Sequence, residues 1–107
     1  MGVKHEDLVE RVYRELKSNN KFPFVAKHQE YPLEANTDTL GEVDVIAMNP
    51  EKGTLSIYEI KSSRNYLKKG KNQLRRARKY YEQFGYETIN TFLEYDVNGF
   101  RHHEQVK

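Results

Sequence analysis

The segment from Glu42 to Lys61 constrains the fold more than any other part of the chain. Glu42–Met48 and Thr54–Lys61 are strand-like runs, the second rich in β-branched and aromatic residues, and Asn49-Pro50-Glu51-Lys52-Gly53 between them is a turn sequence. So short a connection permits only antiparallel pairing, because parallel neighbours need a crossover of about a dozen residues or more. If Asn49 and Thr54 close the loop, paired residue numbers sum to 103 and Asp44 falls opposite Glu59.

Alternation sends Leu55, Ile57, Glu59 and Lys61 to one face of their strand, and Asp44, Ile46 and Met48 share a face of the other. Charged groups that continue apolar rows need a reason to be there. Two carboxylates whose Cβ atoms stand about 4.5–5.5 Å apart repel unless a cation lies between them. A hard divalent ion with oxygen ligands, Mg²⁺ or Mn²⁺, meets that need, and the backbone carbonyl of Ile60 offers a further ligand. Lys61, one strand repeat further on, can then serve an attacking water and a phosphate. The set supports phosphodiester hydrolysis. No Ser/His/Asp arrangement, Gly-rich phosphate loop or HExxH pattern competes with it.

Around this hairpin the periodicities predict a helix over Lys4–Lys17, where Leu8, Val9, Val12 and Leu16 recur at helical spacing. A strand over Phe22–Tyr31 follows, confined by Pro23 and Pro32 to an edge or to its own ends. Leu33–Leu40 is polar and reads as a loop. A second helix is expected over Asn65–Phe84, stopped by Gly85, then a strand over Glu87–Tyr95, a turn at 96–99 and a short closing strand over Phe100–Val106. The order α-β-β-β-α-β, with one possible extra strand, describes an α/β domain with a mixed central sheet flanked by helices.

Charge is distributed unevenly. Lys61, Arg64, Lys68, Lys69, Lys71, Arg75, Arg76, Arg78 and Lys79 are nine cations with no acid between Ile60 and Tyr81, so this segment carries +9 and the remainder −7. Such a one-sided basic surface points to a polyanionic partner, nucleic acid first. Cysteine is absent, which removes disulfides, thiolate metal sites and cysteine nucleophiles, and fits an intracellular, cytoplasmic setting. Acids interrupt the first twenty residues, which read as neither a signal peptide nor a membrane span.

Gly41-Glu42-Val43-Asp44-Val45-Ile46, followed by Tyr58-Glu59-Ile60-Lys61-Ser62-Ser63, resembles the D-X(n)-E-X-K signature of the PD-(D/E)XK nuclease superfamily. The proline of that name is missing, since Glu42 or Val43 stands before Asp44. The resemblance implies the αβββαβ restriction-endonuclease-like core and divalent-metal-dependent cleavage of DNA, or in some members RNA, with one or two Mg²⁺ (or Mn²⁺) ions. Asp44 and Glu59 would bind metal and Lys61 would stand at the attacking water. Many members add a glutamate from the first helix. Glu6 fits that role through its stripe with Val9, Tyr13 and Leu16, ahead of Glu10, with His5 as a substitute. Archaeal-type Holliday junction resolvases and the VRR-NUC domain are similar in size, while GEVDVIA and EIKSS also resemble RecB-like and NERD nucleases; Gln73 with Tyr80 is similar to the Gln-to-Tyr motif of the RecB-like group. The expectation is therefore one nuclease domain over residues 1–107, a junction-resolving endonuclease acting as a homodimer. Its second helix, with Arg64 and Gln73, would lie on DNA. A catalytically inactive binding module and a subunit of a larger nuclease assembly are the alternatives.

Overall fold

In the computed structural model, residues 5–33 and 40–107 are described. Lys4 and most of the expected loop, residues 34–39, lie outside them. Helix α1 (His5–Lys17) places acids in its first turn and Arg14 and Lys17 in its last, complementing its dipole. The strands are β1 (Phe24–Pro32), β2 (Leu40–Asn49), β3 (Thr54–Lys61), β4 (Thr88–Val97) and β5 (Phe100–Gln105), with α2 (Leu67–Tyr81) between β3 and β4. The helix expected from Asn65 to Phe84 is divided, with single 3-10 turns at Arg64–Tyr66 and Glu82–Phe84 flanking α2. Gly85, at a left-handed φ of 81°, ends it as anticipated.

The five strands lie in chain order, β1-β2-β3-β4-β5. Three pairs are antiparallel, and β3 and β4 run parallel through the α2 crossover. This mixed sheet gives the expected αβββαβ order plus β5. The proline argument also holds for β1, an edge strand ending at Pro32. None of the helices among the described residues is long and apolar enough to cross a membrane.

The sheet separates two apolar clusters. On one face α1 buries Leu8, Val9, Val12 and Leu16 against Val45, Ala47, Tyr58 and Ile60. On the other α2 buries Leu74, Ala77 and Tyr81 against Leu55, Ile57, Ile89 and Leu93. Gly70 lets α2 settle close to the end of β3. A Cβ there would meet Leu93 Cδ1 at 2.7 Å and the Lys61 side chain at 3.3 Å.

Far from the hairpin turn, β5 is tied down by a buried charge. Glu94 on β4 is almost fully enclosed and receives Arg101 Nε at 2.7 Å and Nη2 at 3.1 Å, a bidentate pair, together with His103 Nδ1. Arg101 also reaches Glu15 on α1. Removing one partner of an enclosed pair costs more than forming it gains, because the remaining charge stays desolvated. Arg101→Met, which keeps the apolar stem, should lower stability by about 2 kcal/mol, or roughly 10 °C in Tm. Adding Glu94→Gln should recover most of that loss in thermal unfolding. A double variant no more stable than Arg101→Met would disprove the charge-pair explanation.

Candidate active site

Turn length fixes the β2–β3 register as read from the sequence: rungs run from Asn49↔Thr54 to Val45↔Tyr58. One step further stand Asp44 and Glu59, only 5% and 4% exposed. Asp44 Oδ2 accepts the Ile60 N–H at 2.8 Å and lies 3.3 Å from His5 Nε2. Burial, then the adjacent Asp44 carboxylate, push the Glu59 carboxyl up to about 9, with Lys61 opposing the shift. At neutral pH Glu59 therefore holds a proton against Asp44, which is how two enclosed carboxylates coexist without a cation.

Asp44 does not simply continue the row of Ile46 and Met48. Val45 packs under α1, yet Val43, two residues earlier, packs in the α2-side cluster with Tyr31. The period-2 alternation thus changes face at Asp44. The cause lies on β1, where rungs Lys27↔Val45 and Gln29↔Val43 flank a missing pair, His28 opposite Asp44. His28 adopts a left-handed φ of 52° and breaks the ladder there. Asp44 is left between strands, with Glu59 beside it on β3, His28 across on β1, and α1 above.

The first helix contributes a different residue from the one expected. Glu6 is 68% exposed and turns to His28 Nε2 at 3.1 Å and His5 Nδ1 at 3.6 Å. It is His5 that meets Asp44. The buried stripe is Leu8, Val9, Val12 and Leu16, while Tyr13 is only half-buried, so the inward direction extrapolates to position 5 rather than 6. Glu10 lies on another side and binds Lys27 and Arg14. Ile60 has its side chain beneath α1 and its amide on Asp44. Lys61 is half-buried against Gly70.

By donor chemistry this set suits a divalent cation, while the ligand atoms that already lie within 4.8 Å of one another are those of His28, Glu42 and Asp44. Two carboxylates and one imidazole suit Mn²⁺ and Mg²⁺, the imidazole favouring Mn²⁺. Burial first, and then the Asp44 charge, disfavour an ionised Glu59, and such an ion would offset both.

Sequence reasoning missed two groups beside this site, His28 and Glu42. His28 Nδ1 lies 2.8 Å from Glu42 Oε1, and this bond, then Glu6, raises the imidazole above its ordinary value against a smaller opposing effect of burial. The only signal was local: histidine is among the residues that tolerate left-handed backbone.

The cations of α2 do not all face the same way. Lys71 reaches Glu104 at 3.3 Å, and Arg78 donates to the Ile89 carbonyl at 2.6 Å and lies 3.7 Å from Glu82, so both are directed at their own fold. Lys68, Lys69, Gln73 and Arg76 instead line one groove with Asn65 and Asn72, and Arg76 and Lys79 line the next with Tyr31, Tyr80 and Gln83. Arg64 and Arg75 are exposed. The Gln73 Oε1 is buried and has no hydrogen-bond partner among the described residues, a costly arrangement unless a water or ligand supplies a donor.

No family model matches the chain, and no curated protein matches it. Among solved structures, the crystal structure of SSO0001 superposes with a TM-score of 0.62 at 23% identity, covering 96% of this chain and 50% of that one. The likeness is one of fold, and this chain spans about half the length of the protein it matches.

Proposed function

We propose that this domain is a metal-dependent nuclease that hydrolyses phosphodiester bonds in DNA. The observation that carries the reading is the enclosed Asp44–Glu59 pair, met by His5 on one side and followed by Lys61 on the other, at the end of a hairpin flanked by a basic helix. Such a pair costs stability and is kept where a site needs it.

Asp44, Glu59, His5 and the Ile60 carbonyl would hold the ion. A divalent cation so held supplies Lewis acidity toward a phosphate and neutralises developing negative charge. Lys61 brings a fixed positive charge beside that position, kept in place by its packing against Gly70 and usable for orienting water or a phosphate oxygen. Gln73 and the outward cations of α2 position the nucleic-acid backbone, and the enclosed walls of the sheet end strengthen every electrostatic contact made there.

The direct test is incubation of the chain with Mn²⁺ or Mg²⁺ and labelled linear, flapped and four-way DNAs. Cleavage that chelator abolishes supports the reading, and a preference for four-way DNA supports a junction-resolving enzyme. Binding without cleavage under all metals would replace the reading with a non-catalytic module. The α2 surface has its own test. DNA affinity should fall with salt by roughly 0.9 log units per phosphate contact for each log unit of salt. Lys69→Glu with Arg76→Glu should flatten that slope, whereas Lys71→Gln with Arg78→Gln should leave it unchanged. Equal effects from the two pairs would mean that the grooves do not track the backbone.

A further inference from the structure

We propose that His28 and Glu42, together with Asp44, form a second divalent-cation site that takes a borderline metal such as Mn²⁺, Co²⁺ or Zn²⁺. The inference rests on the reading of Asp44 as a metal ligand, and adds to it two residues from the opposite side of the carboxylate.

Three observations converge on it. First, the register places His28 across from Asp44, and one ligand atom each from His28, Glu42 and Asp44 lies within 4.8 Å of the others. His28 Nδ1 and Glu42 Oε1 are hydrogen-bonded at 2.8 Å at the surface, so an ion bound here takes the place of the proton they share. Second, the other ring nitrogen is already occupied: His28 Nε2 is 3.1 Å from Glu6 Oε2. A metal-binding histidine typically donates its second ring N–H to a carboxylate, which fixes the tautomer and strengthens the ligand. Glu6 stands in that position, as a positioning residue rather than a ligand. Third, the donor types suit such an ion. One imidazole with two carboxylates favours borderline metals over Ca²⁺. Asp44, with one neighbour on each adjacent strand, is the one carboxylate placed to serve both sites.

The test is the number of Mn²⁺ ions bound per chain, read from the free-ion signal in electron paramagnetic resonance without nucleic acid. The parent should bind two. His28→Gly, which removes the imidazole while suiting the left-handed backbone, should bind one, as should Glu42→Gln. Glu59→Gln should lose the other ion and keep the one at His28, whose ring proton signals should broaden on Mn²⁺ addition. Glu6→Gln should weaken that ion roughly 10-fold or more without removing it. A parent that binds a single ion, or a His28→Gly variant with unchanged stoichiometry, overturns the proposal. The two readings fail separately. Cleavage with one bound ion rejects the second site and leaves the nuclease, while two ions with no cleavage of any DNA leave the site and reject the nuclease.

Discussion

Lys61→Ala is expected to slow DNA cleavage by roughly 10²–10³-fold while Mn²⁺ and DNA affinities stay near those of the parent. The asymmetry follows from position. Asp44 and Glu59 face each other in the enclosed end of the hairpin, whereas Lys61 extends past them along β3 and packs its stem on Gly70. Removing its ammonium leaves every metal donor in place. What is lost is a charge whose interaction strengthens as the phosphate gains negative charge, so the loss falls on the rate. Asp44→Ala should do the opposite, abolishing ion binding and cleavage together, because this residue is the common neighbour of His5, Glu59 and Ile60. Single-turnover kinetics beside ion titration separate the two. If Lys61→Ala cleaves near the parental rate, the role given to that lysine is wrong.

The second large effect concerns stability and pH. The Glu59 carboxyl titrates near 4.5 in an unfolded chain and is pushed up to about 9 in the fold, chiefly by burial and then by Asp44. Between those values the folded protein holds a proton that the unfolded chain has released. The contribution of this proton to stability is therefore full below pH 4.5, declines as pH rises through the window, and is lost above about 9. Glu59→Gln keeps the shape of the protonated form and has nothing to release. Near pH 8 the metal-free variant should exceed the parent by about 3 kcal/mol, or roughly 10 °C or more in Tm. The two should melt together at acid pH. Saturating Mn²⁺ should stabilise the parent at high pH more than the variant. Parallel melting curves across the range would show that Glu59 does not carry the burial cost assigned to it.

How much of this was legible in the sequence depends on how local each determinant is. The Asp44–Glu59 apposition was readable because Pro50–Gly53 fixes the hairpin register, and a register error of one residue would have sent Glu59 to the other face. The β3–α2–β4 crossover was readable from helical periodicity between two strand-like runs. The first-helix residue was misjudged by one position, a step of about 100° around the helix: counting Tyr13 into the apolar stripe turned its centre toward Glu6, whereas Leu8, Val9, Val12 and Leu16 alone point to His5. The broken ladder at His28 was not legible, because neither glycine nor asparagine marks it and its partners, Glu6 and Glu42, are distant in sequence. The division of α2 cations between Lys71 and Arg78 on one side and Lys69 and Arg76 on the other needed the positions of Glu104 and the Ile89 carbonyl.

The kink at His28 also bears on how copies of this chain meet. An outermost strand with free amides and carbonyls invites another strand to add to it, the usual beginning of unwanted sheet growth. In β1 the regular rungs fall into two blocks of four, Phe24–Lys27 and Gln29–Pro32, with the left-handed residue between them and a proline lacking an amide at the end. A strand arriving from solution would find no long, even row to copy. Whatever else His28 does, it makes this border of the sheet a poor template for self-association.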